Sequence, residues 1–172
     1  MYITGRYWDN YIGGTDDSLT LVEYLTSKQK EEIPLSEIFS DIGLDKLNGE
    51  FRQQEEPLVV STMEEEADCG EPYLEFYFAI NLITDLATLL LECKVNKTVN
   101  LCELAGDGLE ADVPNVHITA TPEEHQLINK AIMDFISEPL AYNLSEMCPE
   151  EDMMELAGIC ENLRKELYGQ EG

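Results

Sequence analysis

Residues 72–94 read PYLEFYFAINLITDLATLLLECK, and the way this stretch divides decides the fold. Its first part alternates. Leu74, Phe76 and Phe78 fall on one side, and Tyr73, Glu75 and Tyr77 on the other, which is the period-two signature of a strand. From Asn81 onward come Leu82, Ile83, Leu86, Ala87, Leu89, Leu90 and Leu91, good helix formers spread almost all round the axis, as in a buried helix. A strand to Ala79 and a buried helix to about Lys94 make the chain α+β. One continuous helix from Pro72 to Lys94 is the competing division. Glu75, Asn81 and Asp85 interrupt the run and make it too polar to span a membrane.

Downstream, Thr121-Pro122-Glu123-Glu124 is a capping box with proline at the first helical position. The helix it opens buries Leu127, Ile128, Ala131, Ile132, Phe135 and Ile136 and ends at Glu138-Pro139. Cys148-Pro149-Glu150-Glu151-Asp152 opens a last helix with acids on the positive end of its dipole. Met153, Leu156, Ala157, Cys160, Leu163 and Leu167 form its stripe, and Gly169 stops it. Residues 98–103 and 115–120 read as strands on either side of a Gly106-Asp107-Gly108 turn. Upstream, residues 57–62 read as a strand and residues 1–7 as a short one. Ser36 caps a short helix that Gly43 ends. Thr15 or Asp16 caps a helix to about Ser27, with Leu19, Val22 and Leu25 or Thr26 along one inward face. No repeat or linker divides the chain. The expectation is a single α+β domain over residues 1–172, a small, mostly antiparallel sheet packed with four to five helices.

Charge carries the functional signal. Asp and Glu number 36 against 10 Lys and Arg, a formal net charge of -26, far beyond the magnitude of ~2–8 that keeps a small domain soluble. The charge is also segregated. No base lies between Arg52 and Lys94, where there are ten acids, or between Lys130 and Arg164, where there are eight. With 44% of residues apolar, such a chain folds rather than staying disordered. Self-repulsion on this scale costs stability, so the excess points to a basic partner. It argues against direct binding of nucleic acid, which needs phosphates neutralised, and against anionic membranes. The N-terminal MYITGRYWDNYIGG predicts no secretory signal. Five cysteines, an odd number without a CxxC pair, fit a reducing cytoplasm.

No catalytic, cofactor or metal motif is present. His117 and His125 have no spacing that marks a relay. HExxH and GxSxG are missing, and Cys and His lack zinc spacing. Residues 107–112 lack the calcium-loop pattern. Gly13-Gly14 lacks the rest of a phosphate loop, and Asp16-Asp17 would repel a phosphate. The candidate partner-binding residues are therefore acidic and aromatic. Glu64, Glu65, Glu66, Asp68 and Glu71 form an acidic loop bounded by Gly and Pro. Trp8, Tyr11, Asp16 and Asp17 form an N-terminal anchor segment, whose alternative is an edge strand with Trp8 in the core.

A small, strongly acidic α+β protein without a catalytic set resembles the bacterial immunity proteins of polymorphic and contact-dependent toxin systems. The resemblance is one of class, carried by the whole-chain charge and by MEEEADCGEP (63–72) and CPEEDMMEL (148–156). It implies no enzymatic activity and a cognate toxin, often a basic nuclease domain, blocked by direct binding. Two other classes fit the composition: a non-inhibitory adaptor for a basic protein, and an enzyme built on paired carboxylates.

Overall fold

The computed structural model describes residues 2–4, 6–47, 50–52, 58–61, 73–105 and 115–169. In chain order its elements are β1 (Trp8–Asn10), β2 (Ile12–Gly13), α1 (Asp16–Lys28), β3 (Glu32–Pro34), α2 (Leu35–Ile42), β4 (Leu58–Ser61), β5 (Tyr73–Phe76), α3 (Ala79–Asn96), α4 (Leu101–Ala105), β6 (His117–Thr119), α5 (Pro122–Ser137) and α6 (Glu150–Tyr168). Short 3-10 turns lie at Leu44–Leu47, Pro139–Ala141 and Asn143–Glu146.

The stretch 72–94 divides into strand and helix, not one helix. Tyr73–Phe76 pairs with β4, and α3 starts after Phe78, whose extended backbone (φ -132°, ψ 112°) separates the two. Every residue of α3 from Ala79 to Cys93 is buried. The helix forms the middle of the core, with α1, α5, α6, β2 and β6 packed round it. Among the described residues no helix is long and apolar enough to cross a membrane.

A helix buried on all sides must satisfy its polar side chains within the protein. Here they fasten the N-terminal segment. Asp85 accepts from Ser18 Oγ (2.8 Å) and from the Gly13 N–H (3.2 Å). Glu92 accepts from the Ile3 N–H (3.0 Å) and from Asn96 Nδ2 (2.6 Å). In the other direction, Asp17 on α1 accepts from the N–H groups of Tyr77 (2.8 Å) and Phe78 (3.0 Å) and from Asn81 Nδ2 (3.1 Å). It thereby fixes the bend between β5 and α3 and puts negative charge at the positive end of the α3 dipole.

The sheet differs from expectation. The described strands form three separate two-stranded pairs, not one mostly antiparallel sheet. β1–β2 and β3–β6 are parallel, and β4–β5 is antiparallel. Strands of two to four residues bury too little to make a layer, and α3 occupies the position a sheet would take. The described residues hold six α-helices where four to five were expected. Residues 98–103 contribute only Val99 to strand pairing, with Val116. Asn100 Oδ1 then accepts from the Glu103 N–H (3.1 Å) and starts α4. The expected strand at 1–7 is mostly a tight turn, in which the N–H groups of Arg6, Tyr7 and Trp8 converge on the Ile3 carbonyl. Leu19, expected inward, is exposed, because α1 turns Asp17 and Ser18 toward α3 instead. Other signals held. Thr15 caps α1, and Thr121 and Glu124 make the capping box of α5. α6 runs from Glu150 to its stop at Gly169, and Gly43 (φ 98°) ends α2.

Burial pushes the Asp85 carboxyl up to about 7, a rise that the Ser18 and Gly13 hydrogen bonds oppose and the nearby Asp17 charge reinforces. A carboxyl raised in the folded state binds its proton more tightly there than in the unfolded chain. Its contribution to stability is therefore full below the unfolded value of 3.8 and is lost as pH rises to about 7. Asp85→Asn keeps the shape and removes the titration. Relative to that variant, the wild type should lose on the order of 2–4 kcal/mol between about pH 4 and about pH 8. Denaturant unfolding of both proteins across that range checks this; a difference that stays flat with pH would refute it.

Candidate functional site

The N-terminal candidates divide between interior and surface. Trp8 is buried and lies flat against Gly13, whose φ of +82° only glycine adopts easily. A Cβ on Gly13 would stand 2.3 Å from Trp8 Cδ2, so backbone and indole are in direct contact. Asp17 is also buried, and its three hydrogen bonds hold the start of α3. These two residues support the surface rather than form it. Tyr11 is half-buried, and its hydroxyl lies 3.0 Å from Asp152 Oδ1 and 3.1 Å from Glu155 Oε2. Those carboxylates push the phenol up to about 12, with its proton committed to them. Asp16 is exposed, and its carboxylate has no partner among the described residues.

Tyr11 thus joins the segment ahead of α1 to the start of α6. Asp16 belongs to the first turn of α1, and Glu150, Glu151 and Glu155 are exposed on the first turns of α6. The acids of α6 followed from the sequence, whereas their junction with the N-terminal segment through Tyr11 did not, because it spans 141 residues. Between the start of α1, the bend from β5 to α3 and the 143–147 turn lies a groove of about 450 Å³ lined by Thr15, Asp16, Asp17, Tyr77, Phe78, Asn81, Leu144 and Met147. The sequence reading missed Tyr77 and Met147. The signal was available only in part: Tyr77 falls on the outer side of the alternating run, and nothing local marks Met147. The loop candidates Glu64, Glu65, Glu66, Asp68 and Glu71 lie outside the described residues.

Cations are largely engaged within the molecule. Lys28 pairs with Glu37 (2.6 Å) and Asp41 (2.8 Å), Lys30 with Glu37, Arg52 with Glu138, Lys130 with Asp134 and Lys165 with Glu161. Lys94 donates to the carbonyls of Glu166 (3.0 Å) and Leu167 (2.9 Å), at the negative end of the α6 dipole. Against 36 acids these pairings leave most carboxylates without a cation.

A second cleft, about 530 Å³, opens at the other end of α3 between Leu90, Cys93, Lys94, His117, Ile118, Thr119, Ala120, His125, Leu167 and Tyr168. Its polar groups are turned on one another or on backbone. His125 Nδ1 meets the Tyr168 hydroxyl (3.1 Å), and His117 Nδ1 meets the Lys97 carbonyl. Burial holds His125 below its ordinary range and raises the Cys93 thiol, so the imidazole is neutral and the sulfur protonated at pH 7. A protonated thiol is a poor nucleophile. Among the described residues no group of three His, Cys, Asp or Glu side chains could hold a metal ion, and no disulfide links the described cysteines.

The molecule thus joins a helical core fastened by internal carboxylates to an acid-rich surface and an apolar groove. The family model described as Immunity protein 68 matches residues 2–167, and the chain belongs to that family. Its general role is therefore that of an immunity protein, as the class resemblance implied. No curated protein matches the chain, and no solved structure matches it.

The Trp8–Gly13 contact underlies the whole N-terminal face and can be tested by stability alone. Gly13→Ala adds a Cβ against the indole at a positive φ and should cost about 2–4 kcal/mol. Thermal or denaturant unfolding reads the loss; a change within the noise of a surface substitution would show that the indole does not pack there.

Proposed function

We propose that this immunity protein neutralises its toxin by direct binding, and that the toxin surface it covers is basic. The observation that supports this most is the set of exposed acids without a cation, Asp16 on α1 and Glu150, Glu151 and Glu155 on α6, on a chain of net charge -26. An excess of this sign accelerates association with a basic partner by ~10–10³. Carboxylates at such density also stand in for backbone phosphates, which makes a nuclease domain the toxin class that fits best, with its substrate cleft as the covered surface. The acidic loop residues Glu64, Glu65, Glu66, Asp68 and Glu71 belong to the same proposal as steering charge. Tyr11 and Asp16 contribute contact, and Trp8 and Asp17 hold them in place from behind. Inhibition of this kind requires no chemistry from the immunity protein, and the place of action is the cytoplasm of the cell that carries it.

Charge that steers acts on the association rate and weakens with salt, because the screening length falls to a few ångströms toward ~0.5 M. A variant with Glu64, Glu65, Glu66 and Glu71 changed to Gln and Asp68 to Asn should associate with the toxin domain about tenfold more slowly at low salt. The gap should close as salt rises, and unfolding stability should barely move. Stopped-flow or surface-based kinetics against ionic strength give the answer. Equal rates at low salt would remove the loop from the interface and leave the α1–α6 face to carry the binding.

A further inference from the structure

We propose that the groove between the start of α1 and the 143–147 turn receives an arginine side chain of the toxin, together with an apolar neighbour on the same segment. This deepens the immunity reading and rests on it for the identity of the partner. Met147 is 73% exposed and Tyr77 49% exposed, and both line the groove together with Phe78 and the buried Leu144. A thioether and an aromatic ring left this open to water mark an interaction surface, and Tyr and Met are enriched where interfaces bury their anchors. The volume of about 450 Å³ falls in the range that takes a drug-sized ligand, more than one side chain needs.

Charge selects the occupant. Asp16 stands on the rim with no partner among the described residues, and the Tyr77 hydroxyl donates to Glu75 Oε2 (2.9 Å), which places a second carboxylate beside the ring. Asp17 differs, because its oxygens already accept from Tyr77, Phe78 and Asn81. The partial positive charge at the start of α1, about half an elementary charge, is outweighed by the two acids of its first turn. Apolar walls beneath a carboxylate rim suit a side chain with a long methylene stem and a cationic head. Arginine fits better than lysine. Its planar guanidinium stacks on the Tyr77 ring and pairs bidentately with a carboxylate, and it gives up its water more readily. Met147, flexible and polarisable, adapts to the apolar neighbour.

The test uses the whole protein, labelled with ¹⁵N, and three peptides: acetyl-Gly-Leu-Arg-Gly-amide and its lysine and citrulline counterparts. Citrulline keeps the shape of arginine and removes its charge. The arginine peptide should shift the amides of Asp16, Tyr77, Phe78, Asn81 and Met147 saturably. The lysine peptide should bind several-fold more weakly, and the citrulline peptide about tenfold more weakly. Asp16→Asn should reduce the preference for arginine over citrulline several-fold, leaving the share that Glu75 supplies, and should not unfold the helix start, which Thr15 still caps. Met147→Ala, at an exposed site, should weaken all three peptides. Equal binding of arginine and citrulline peptides, or non-saturating shifts spread over the acidic surface, would overturn the proposal. So would toxin binding that is unchanged by both variants, and that result would leave the immunity reading intact. A wild-type protein that binds its groove peptide but no basic toxin domain would instead overturn the reading of the partner.

Discussion

The structure depends on the way carboxylates inside the core fasten the N-terminal segment to α3. A helix that is apolar almost all round packs without a preferred rotation, because every side offers a similar surface. Asp85 and Glu92 remove that freedom. One holds Ser18 and the Gly13 N–H, and the other holds the Ile3 N–H. Asp17 reaches back from α1 to the start of the same helix. From Asn81 to Glu92 these ties cover roughly 16 Å of helix axis at 1.5 Å per residue. Each lies where an unpaired polar group would be costly, so only one register satisfies them all. Trp8 against Gly13, α1 over α3, and Tyr11 on α6 follow from that register.

The acids of this protein therefore do two different things. A few are enclosed and give the core its alignment. Among the described residues many others are exposed, and most of the lysines and arginines there are already engaged with other groups. Surface repulsion lowers the stability of a free chain, and on the proposed reading a basic toxin surface relieves it, so that binding and charge relief are one event. In the proposed complex the acids at the starts of α1 and α6 favour the encounter, and the exposed Tyr77 and Met147 of the groove would provide the short-range contact that charge alone does not.

Much of the helical framework was legible because its signals are local. The capping box at Thr121–Glu124, Pro149 ahead of Glu150, Gly43 and Gly169 each act within a turn or two of where they stand. The division of residues 72–94 was legible as well, since the side-chain period changes from alternation to an all-round distribution near Asn81. Failures came where a distant partner decides. Leu19 looked like a core residue until Asp17 and Ser18 took the inward face for hydrogen bonds to α3. Residues 98–103 have β-branched Thr98 and Val99 at their start, but Asn100 caps Glu103 and turns the rest into a helix; an Asn three residues before a Glu was the missed sign. The sheet could not be read at all, because β3 and β6 pair in parallel across about half the length of the chain. The excess of acids was visible from composition. The junction of the N-terminal segment with α6 was not, because it rests on one hydroxyl, that of Tyr11, reaching across 141 residues.

The central claim is that the toxin meets the face containing the starts of α1 and α6. The six methionines of the chain give a direct way to see this. In spectra of ¹³C-methyl-methionine protein titrated with an inactive form of the toxin domain, the Met147 methyl should shift strongly. The buried Met153 and the exposed Met133 on α5 should stay in place. A Met133 signal that moves while Met147 remains still would contradict the account and put the toxin on α5 instead.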